Sequence, residues 1–190
     1  MFVKQSFLGG LVEGQAIRFV AAHTPIPVPV VVDNLVYGGT TYLVMSRLPG
    51  HPLVECYPEI SPEVEQHLSI QISRMLAPLR ALPPPSRAVC GFDGGPVNCW
   101  RMTLSPPLGP WESVEAFHKA LMLRTGGLTH IPEGLDPERV HDVIQKVHGR
   151  EYRICLTHND FGPHNILVDE HWNITGVVDW ESCAWMPEYW

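Results

Sequence analysis

The 190-residue chain has no basic cluster: 13 Lys and Arg stand against 20 Asp and Glu, a net charge of −7. Nucleic-acid backbones are held by clustered Lys and Arg, so no nucleic-acid partner is expected. Cys-x-x-Cys is also missing. The five cysteines, Cys56, Cys90, Cys99, Cys155 and Cys183, are odd in number, which favours free thiols in a reducing cytosol over a disulfide framework. Met1-Phe-Val-Lys4 leads into no long apolar run, so a signal peptide is not expected. No apolar stretch approaches the roughly 20 residues of a membrane span. These absences predict a soluble, cytoplasmic protein with no membrane partner. Repeats and low-complexity tracts are absent too. What the chain does have is 45% hydrophobic residues and a mean hydropathy near zero, enough for a buried core. Its 19 prolines, mostly in the first two-thirds, imply short elements and many connections.

The first elements read as a small β-rich unit. Met1-Phe-Val-Lys4 resembles the end of a strand. From Glu13 to Thr24, Ala16, Ile17, Val20 and Ala21 fall on one helical face, and Thr24-Pro-Ile-Pro-Val-Pro29 stops the helix. Val30–Asp33 and Thr41–Met45 read as an antiparallel pair around Gly38-Gly39. Arg47-Leu-Pro-Gly50 reads as a linker between a unit at 1–48 and a larger one at 49–190.

The larger unit reads as helical. Ser61-Pro-Glu63 supplies an N-cap and a first-position proline. Val64, Leu68, Ile72, Met75 and Leu79 carry that helix until Pro78 and Pro83-Pro-Pro85 end it. Residues 86–111, punctuated by Gly94-Gly95-Pro96, Pro106-Pro107 and Gly109-Pro110, read as irregular. A helix over 112–123 follows, carried by Val114, Phe117 and Leu121. Another starts at Asp136-Pro-Glu138, with Val140, Val143, Ile144 and Val147 on one face and Gly149 past its end. Tyr152–Leu156 is a short strand.

That strand delivers the richest stretch, His158-Asn-Asp-Phe-Gly-Pro-His-Asn165 followed by two strands, Asn165–Asp169 and Ile174–Asp179. A five-residue loop between them would set Asn165 opposite Asp179; a four-residue loop moves the pairing by one position. Directly paired residues have Cα atoms about 4.5–5.5 Å apart. Asn165 and Asp179 would then share a hard cation such as Mg2+, which takes oxygen ligands. Asp160 lies in the loop feeding the same end, a carboxylate placed to take a proton beside the metal.

His158-Asn-Asp160-x4-Asn165, followed by Val177-Val-Asp179-Trp-Glu181, resembles the aminoglycoside phosphotransferase and choline kinase-like branch of the protein-kinase-like fold, in particular its uncharacterised fungal members. The Asn-to-Asp separation of fourteen matches the pattern. Phe19-Val-Ala-Ala-His-Thr-x-Ile-Pro-Val-Pro29, Tyr42-Leu-Val-Met45, Leu48-Pro-Gly50 and Pro187-Glu-Tyr-Trp190 are similar to family landmarks. The resemblance implies an α+β, two-lobed fold with an incomplete N-lobe and a truncated helical C-lobe. It implies ATP and Mg2+ as cofactors and a small-molecule hydroxyl acceptor as partner. Asp160 would be the catalytic base, with His158 bracing its loop. Asn165 and Asp179 would hold Mg2+. Lys4 would reach the α- and β-phosphates and pair with Glu13. Backbone groups from Met45 to Arg47 would meet adenine.

The sequence also departs from the pattern. No Gly-rich phosphate loop precedes Lys4, no helices follow Trp190, and Asn159 stands where the family usually has Gly. An inactive kinase-like nucleotide-binding or interaction protein is therefore the competing expectation. A eukaryotic-type protein kinase fits less well, because Asp179-Trp-Glu181 replaces Asp-Phe-Gly and no activation segment is evident. Zinc at Cys155, His158 and His164 lacks a fourth ligand at a recognised spacing. Glu13 has an alternative reading as a helix N-terminal charge. Trp180, Trp185 and Trp190 read as packing residues, and Glu181 either meets a basic group or faces solvent. The residues that choose the acceptor are expected mostly within 86–111 and beyond Trp190.

Overall fold

A computed structural model describes residues 1–6, 11–56, 60–99, 102, 108–124 and 134–190. Residues 100, 101 and 103–107 of the stretch expected to choose the acceptor, Pro106-Pro107 among them, lie outside the described residues. The first unit is a three-stranded antiparallel sheet in the order β1-β3-β2, with β1 at Phe2–Ser6, β2 at Val31–Tyr37 and β3 at Thr40–Met45. Tyr37 pairs with Thr40, leaving Gly38 and Gly39 as a two-residue turn with φ of +57° and +77°. That mirror-image turn matches the strand twist and needs residues tolerant of positive φ. Helix α1, Val12–His23, buries Ala16, Ile17 and Val20. Full burial of a side chain the size of Val20 or Ile17 contributes about 1.5–3 kcal/mol, and the Ala16 methyl less.

The second unit holds the other strands. β4 (His51–Pro52), β7 (Ile166–Val168) and β8 (Ile174–Val177) form one sheet in the order β4-β7-β8. β5 (Cys90–Gly91), β9 (Ala184–Pro187) and β6 (Ile154–Thr157) form another in the order β5-β9-β6. The helices are α2 (Leu53–Cys56), α3 (Pro62–Ala81), α4 (Val114–Arg124) and α5 (Pro137–His148). The unit is thus less purely helical than the sequence suggests. Stretch 86–111 contributes β5 and the bridges Val89–Trp111 and Val97–Leu108. Such two-residue pairings have no periodicity to read.

Helix α3 starts as expected, with Ser61 Oγ accepting from the Val64 N–H and Pro62 in the first turn. It does not end at Pro78 but runs through it to Ala81. Helix α5 is also capped as expected, by the Asp136 side chain accepting from the Glu138 N–H. None of its residues is fully buried, and Val143 is 51% exposed. Periodicity defines an apolar face; it does not supply the surface to cover it.

The β7–β8 hairpin takes the second of the two registers the sequence allows, one position from the Asn165–Asp179 pairing. Ile166 faces Val177 and Leu167 faces Gly176, with a bulge before the Val168–Ile174 pair. Asn165 therefore meets Val178, donating no side chain to it but accepting the Val178 N–H on its backbone oxygen at 3.0 Å. Asp179 lies one residue further on. Residues 169–173 connect the Val168–Ile174 pair, and the bulge sets the register beyond it. Gln71 of α3 clamps this loop, accepting from the Ile174 N–H and donating to the Trp172 carbonyl, both at 2.9 Å.

One apolar core runs through both units, including Ile17, Leu43, Met75, Leu156, Trp180 and Met186. α1 packs on the 3-10 turn Trp180–Ser182, and the Val177 N–H donates to the Pro27 carbonyl at 2.8 Å. The hairpin end is thereby fixed against the first unit. All five cysteines are free thiols, four of them buried. No described helix is long and apolar enough to cross a membrane.

Candidate active site

Two groups of polar side chains meet at the hairpin end. The first is local. After β6 the chain turns through Asn159, whose φ of 71° is left-handed. This explains why the position suits Gly or Asn, which tolerate that region. Asn159 is further anchored by accepting from Trp190 Nε1 at 2.7 Å. His158 is 1% exposed. Its Nε2–H donates to the Val178 carbonyl at 2.9 Å, and its Nδ1 accepts from the Asp160 N–H at 3.3 Å. Both ring nitrogens are used by a neutral imidazole, and burial lowers the pKa below the ordinary 6.5. His158 is built as a brace.

Two donors meet one oxygen of Asp160. Asn165 Nδ2 lies 3.1 Å from Oδ2 and 3.0 Å from the Asp160 carbonyl. His164 Nε2 lies 3.3 Å from the same Oδ2. With its amide nitrogen directed at Asp160, Asn165 keeps its amide oxygen as a hard donor atom.

The second group is assembled over long range. Lys4 Nζ lies 2.6 Å from Asp179 Oδ1, 3.0 Å from Glu13 Oε2 and 3.4 Å from Glu181 Oε2. Glu13 Oε1 accepts a hydrogen bond from Nζ at 3.1 Å, whereas Oε2 is placed off the hydrogen-bond direction. Glu13 is 1% exposed, and burial raises its pKa against the pull of Lys4. Burial opposes the Lys4 charge as well, but Glu13 and Asp179 outweigh it and raise the Lys4 pKa, so the ammonium stays charged. Asp179 enters the cluster with φ of 65°, a left-handed turn into Trp180–Ser182. That single turn carries Glu181 back to Lys4.

Oxygens of Glu13, Asp179 and Glu181 all lie within 4.8 Å of one another. Carboxylate and amide oxygens are the donor type Mg2+ takes, so the chemistry of this set fits a hard divalent cation. Among the described residues no Cys/His group of three converges, so Cys155, His158 and His164 do not come together as one donor set.

The predicted residues therefore fall into two sets, Lys4–Glu13–Asp179 and His158–Asp160–Asn165, joined through Val178. Met45 and Arg47 stand apart. The Met45 side chain is buried in the core between its partners Phe2 and Val31, and Arg47 is exposed. Sequence reasoning left Glu181 open and weighed His164 only for zinc. Their signals were positional: Glu181 is two residues past Asp179 and His164 four past Asp160. Trp180 and Trp185 are core residues, and Trp190 packs against the core.

A family model described as the phosphotransferase enzyme family (APH) matches residues 11–190. The chain is 26% identical over 202 residues to the Clavilactone A biosynthesis cluster protein Y of Ampulloclitocybe clavipes, covering 92% of this chain and 50% of that protein. Among solved structures it is similar to a thermostable mutant of aminoglycoside phosphotransferase APH(4)-Ia in ternary complex with AMP-PNP and hygromycin B. The TM-score is 0.57 at 19% identity, over 90% of this chain and 56% of that one. It is also similar to aminoglycoside phosphotransferase APH(3'')-Id from Streptomyces rimosus ATCC10970 in complex with ADP and streptomycin. There the TM-score is 0.52 at 17% identity, over 95% of this chain and 64% of that one. At these identities the solved structures establish the fold, a mixed α/β kinase-like architecture. The chain spans half the length of the curated relative. With the family model matching nearly its whole length, the chain belongs to the phosphotransferase enzyme family.

Proposed function

We propose that the chain carries the catalytic machinery of an ATP-dependent small-molecule kinase, with Asp160 as the base. One observation carries the reading. Val178 receives the His158 ring on its carbonyl and gives its N–H to Asn165, at 2.9 and 3.0 Å. These two bonds hold the Asp160 loop against the strand end that bears Asp179. A base and a hard-oxygen cluster at adjoining positions are what phosphoryl transfer asks of a protein, since its work is positioning and charge neutralisation.

Residues 1–48 form the nucleotide side and residues 49–190 the acceptor side. Backbone groups from Met45 to Arg47 meet adenine, and Lys4 reaches the α- and β-phosphates while held by Glu13. Asn165 and Asp179 would hold Mg2+, with Glu181 as a further oxygen donor; when bound, the ion neutralises phosphate oxygens. Asp160 takes the proton of the acceptor hydroxyl as that oxygen bonds to the γ-phosphorus. The bond to the bridging oxygen breaks, and its electron pair leaves with ADP. The acceptor is a hydroxyl-bearing small molecule, and the free thiols fit a cytoplasmic setting. The solved neighbours were captured with nucleotides, which supports ATP as donor.

The test is ADP release from Mg·ATP, alone and with hydroxyl-bearing acceptors. Asp160→Ala is expected to abolish turnover while nucleotide binding survives; full turnover in that variant would remove Asp160 from the role. A second reading, an inactive kinase-like nucleotide-binding or interaction protein, is favoured by the 2.6 Å contact that already satisfies Asp179 with Lys4. A melting curve unmoved by millimolar Mg·ATP would select it.

A further inference from the structure

His164 touches the Asp160 carboxylate, and the sequence clears a space for it to do so. Two tight turns follow Asp160: the Gly162 N–H donates to the Asp160 carbonyl, and the Asn165 N–H donates to the Gly162 carbonyl, both at 2.9 Å. Between them Pro163 is fixed in φ, and its carbonyl accepts from the Val54 N–H of α2 at 3.0 Å. The turns bring residue 164 back over residue 160. Its Nε2 reaches Asp160 Oδ2 at 3.3 Å. An ionised carboxylate only accepts hydrogen bonds, so the ring nitrogen facing it is the one that carries the proton.

Gly162 supplies the space. Its φ is outside the left-handed region, so the backbone does not demand glycine. A Cβ there would lie 2.5 Å from His164 Cε1 and 2.8 Å from Nδ1. The imidazole thus occupies the volume that any other side chain at 162 would fill. The obstructed group is the end of a rotatable side chain, so an added methyl displaces the ring and leaves the backbone in place.

We propose that His164 is a positioning residue for the base, its Nε2–H fixing the rotation of the Asp160 carboxylate together with Asn165, and that Gly162 exists to admit it. Two donors on one oxygen set where the other oxygen of Asp160 points. The inference rests on Asp160 being the base.

ADP release from Mg·ATP tests it. His164→Leu is expected to lower kcat about tenfold, the rate equivalent of one hydrogen bond to a charged group, with the nucleotide KM unchanged. His164→Gln, which keeps an N–H at comparable reach, restores most of the loss. Gly162→Ala reproduces the His164→Leu defect, and the double variant is no slower than either single one. The ring contact is read independently of turnover from long-range 1H–15N spectra. His164 should show a protonated Nε2 whose signal moves in both Asp160→Asn and Gly162→Ala. Full kcat in His164→Leu alongside a dead Asp160→Ala overturns this inference and leaves the base assignment standing. Multiplying defects in the double variant, or a His164 signal indifferent to Gly162→Ala, overturns it as well. Full turnover in Asp160→Ala removes the base assignment, and this inference with it.

Discussion

The two halves of the site are built differently. The Asp160 half lies within eight residues, His158 to Asn165, and is held by hydrogen bonds between neighbours in sequence. The Lys4 half joins residues 175 positions apart through ion pairs around one ammonium. The first needs little beyond its own turns and the Val178 anchor. The second exists only when both units are packed, because Glu13 arrives on α1 and Asp179 on the hairpin end. Changes in the first half should therefore act on chemistry, and changes in the second on stability and ligand binding.

The largest expected effect sharpens that division. Asp160→Ala should reduce phosphoryl transfer about 10²–10⁴-fold, the usual contribution of a general base, with melting temperature nearly unchanged. A large loss of stability instead would show that the local half also carries the fold. Next, Mg·ATP at a hundred times its dissociation constant should stabilise the chain by about 2.7 kcal/mol. At this chain length that is roughly 5–10 °C in melting temperature.

Lys4→Met should come third, leaving Glu13 buried without its cation. A fully buried broken pair costs about 3–5 kcal/mol. Here about 2–3 kcal/mol is expected in a denaturant titration, because Lys4 retains 22% exposure and Glu13, its pKa raised by burial, can take up a proton. Asp179→Asn removes a partner that is 37% exposed and should cost less than about 1 kcal/mol. Equal losses in the two variants would break the view that Glu13 is the energetic centre of the cluster.

The smallest effect concerns pH. Burial lowers the pKa of His118, with the stacked His148 adding to it, and burial lowers that of His158 too. The unfolded chain then binds more protons as pH falls, so stability is full above about 6.5 and is lost as pH drops through the depressed folded values. Melting temperatures between pH 8 and pH 5 should fall on the acid side. His118→Phe should flatten the slope and leave turnover at neutral pH intact.

Much of the local half was legible in the sequence. Spacing alone placed Asp160, Asn165 and Asp179 at one hairpin end, because two short strands and a tight loop leave few ways to fold. Which of the two registers the hairpin takes was not legible, since it depends on the bulge at Val168. Nor were β5 and β9, four residues or fewer, which are strands only because each pairs with a neighbour distant in sequence. Helix α5 shows the reverse case: its apolar periodicity was plain, yet Val143 and Val147 remain 51% and 37% exposed.

What the sequence determined by itself are the neighbours within reach of one turn: His158, Asp160 and Asn165 on one loop beside the strand that ends at Asp179. These follow from residue types a few positions apart, where backbone geometry restricts the outcome. Only the tertiary structure decided that Lys4 meets Asp179 and Glu181 as well as Glu13, and that the Met45 side chain turns into the core. Contacts between residues 4 and 179 depend on how two units pack, and no pattern of spacing carries that information.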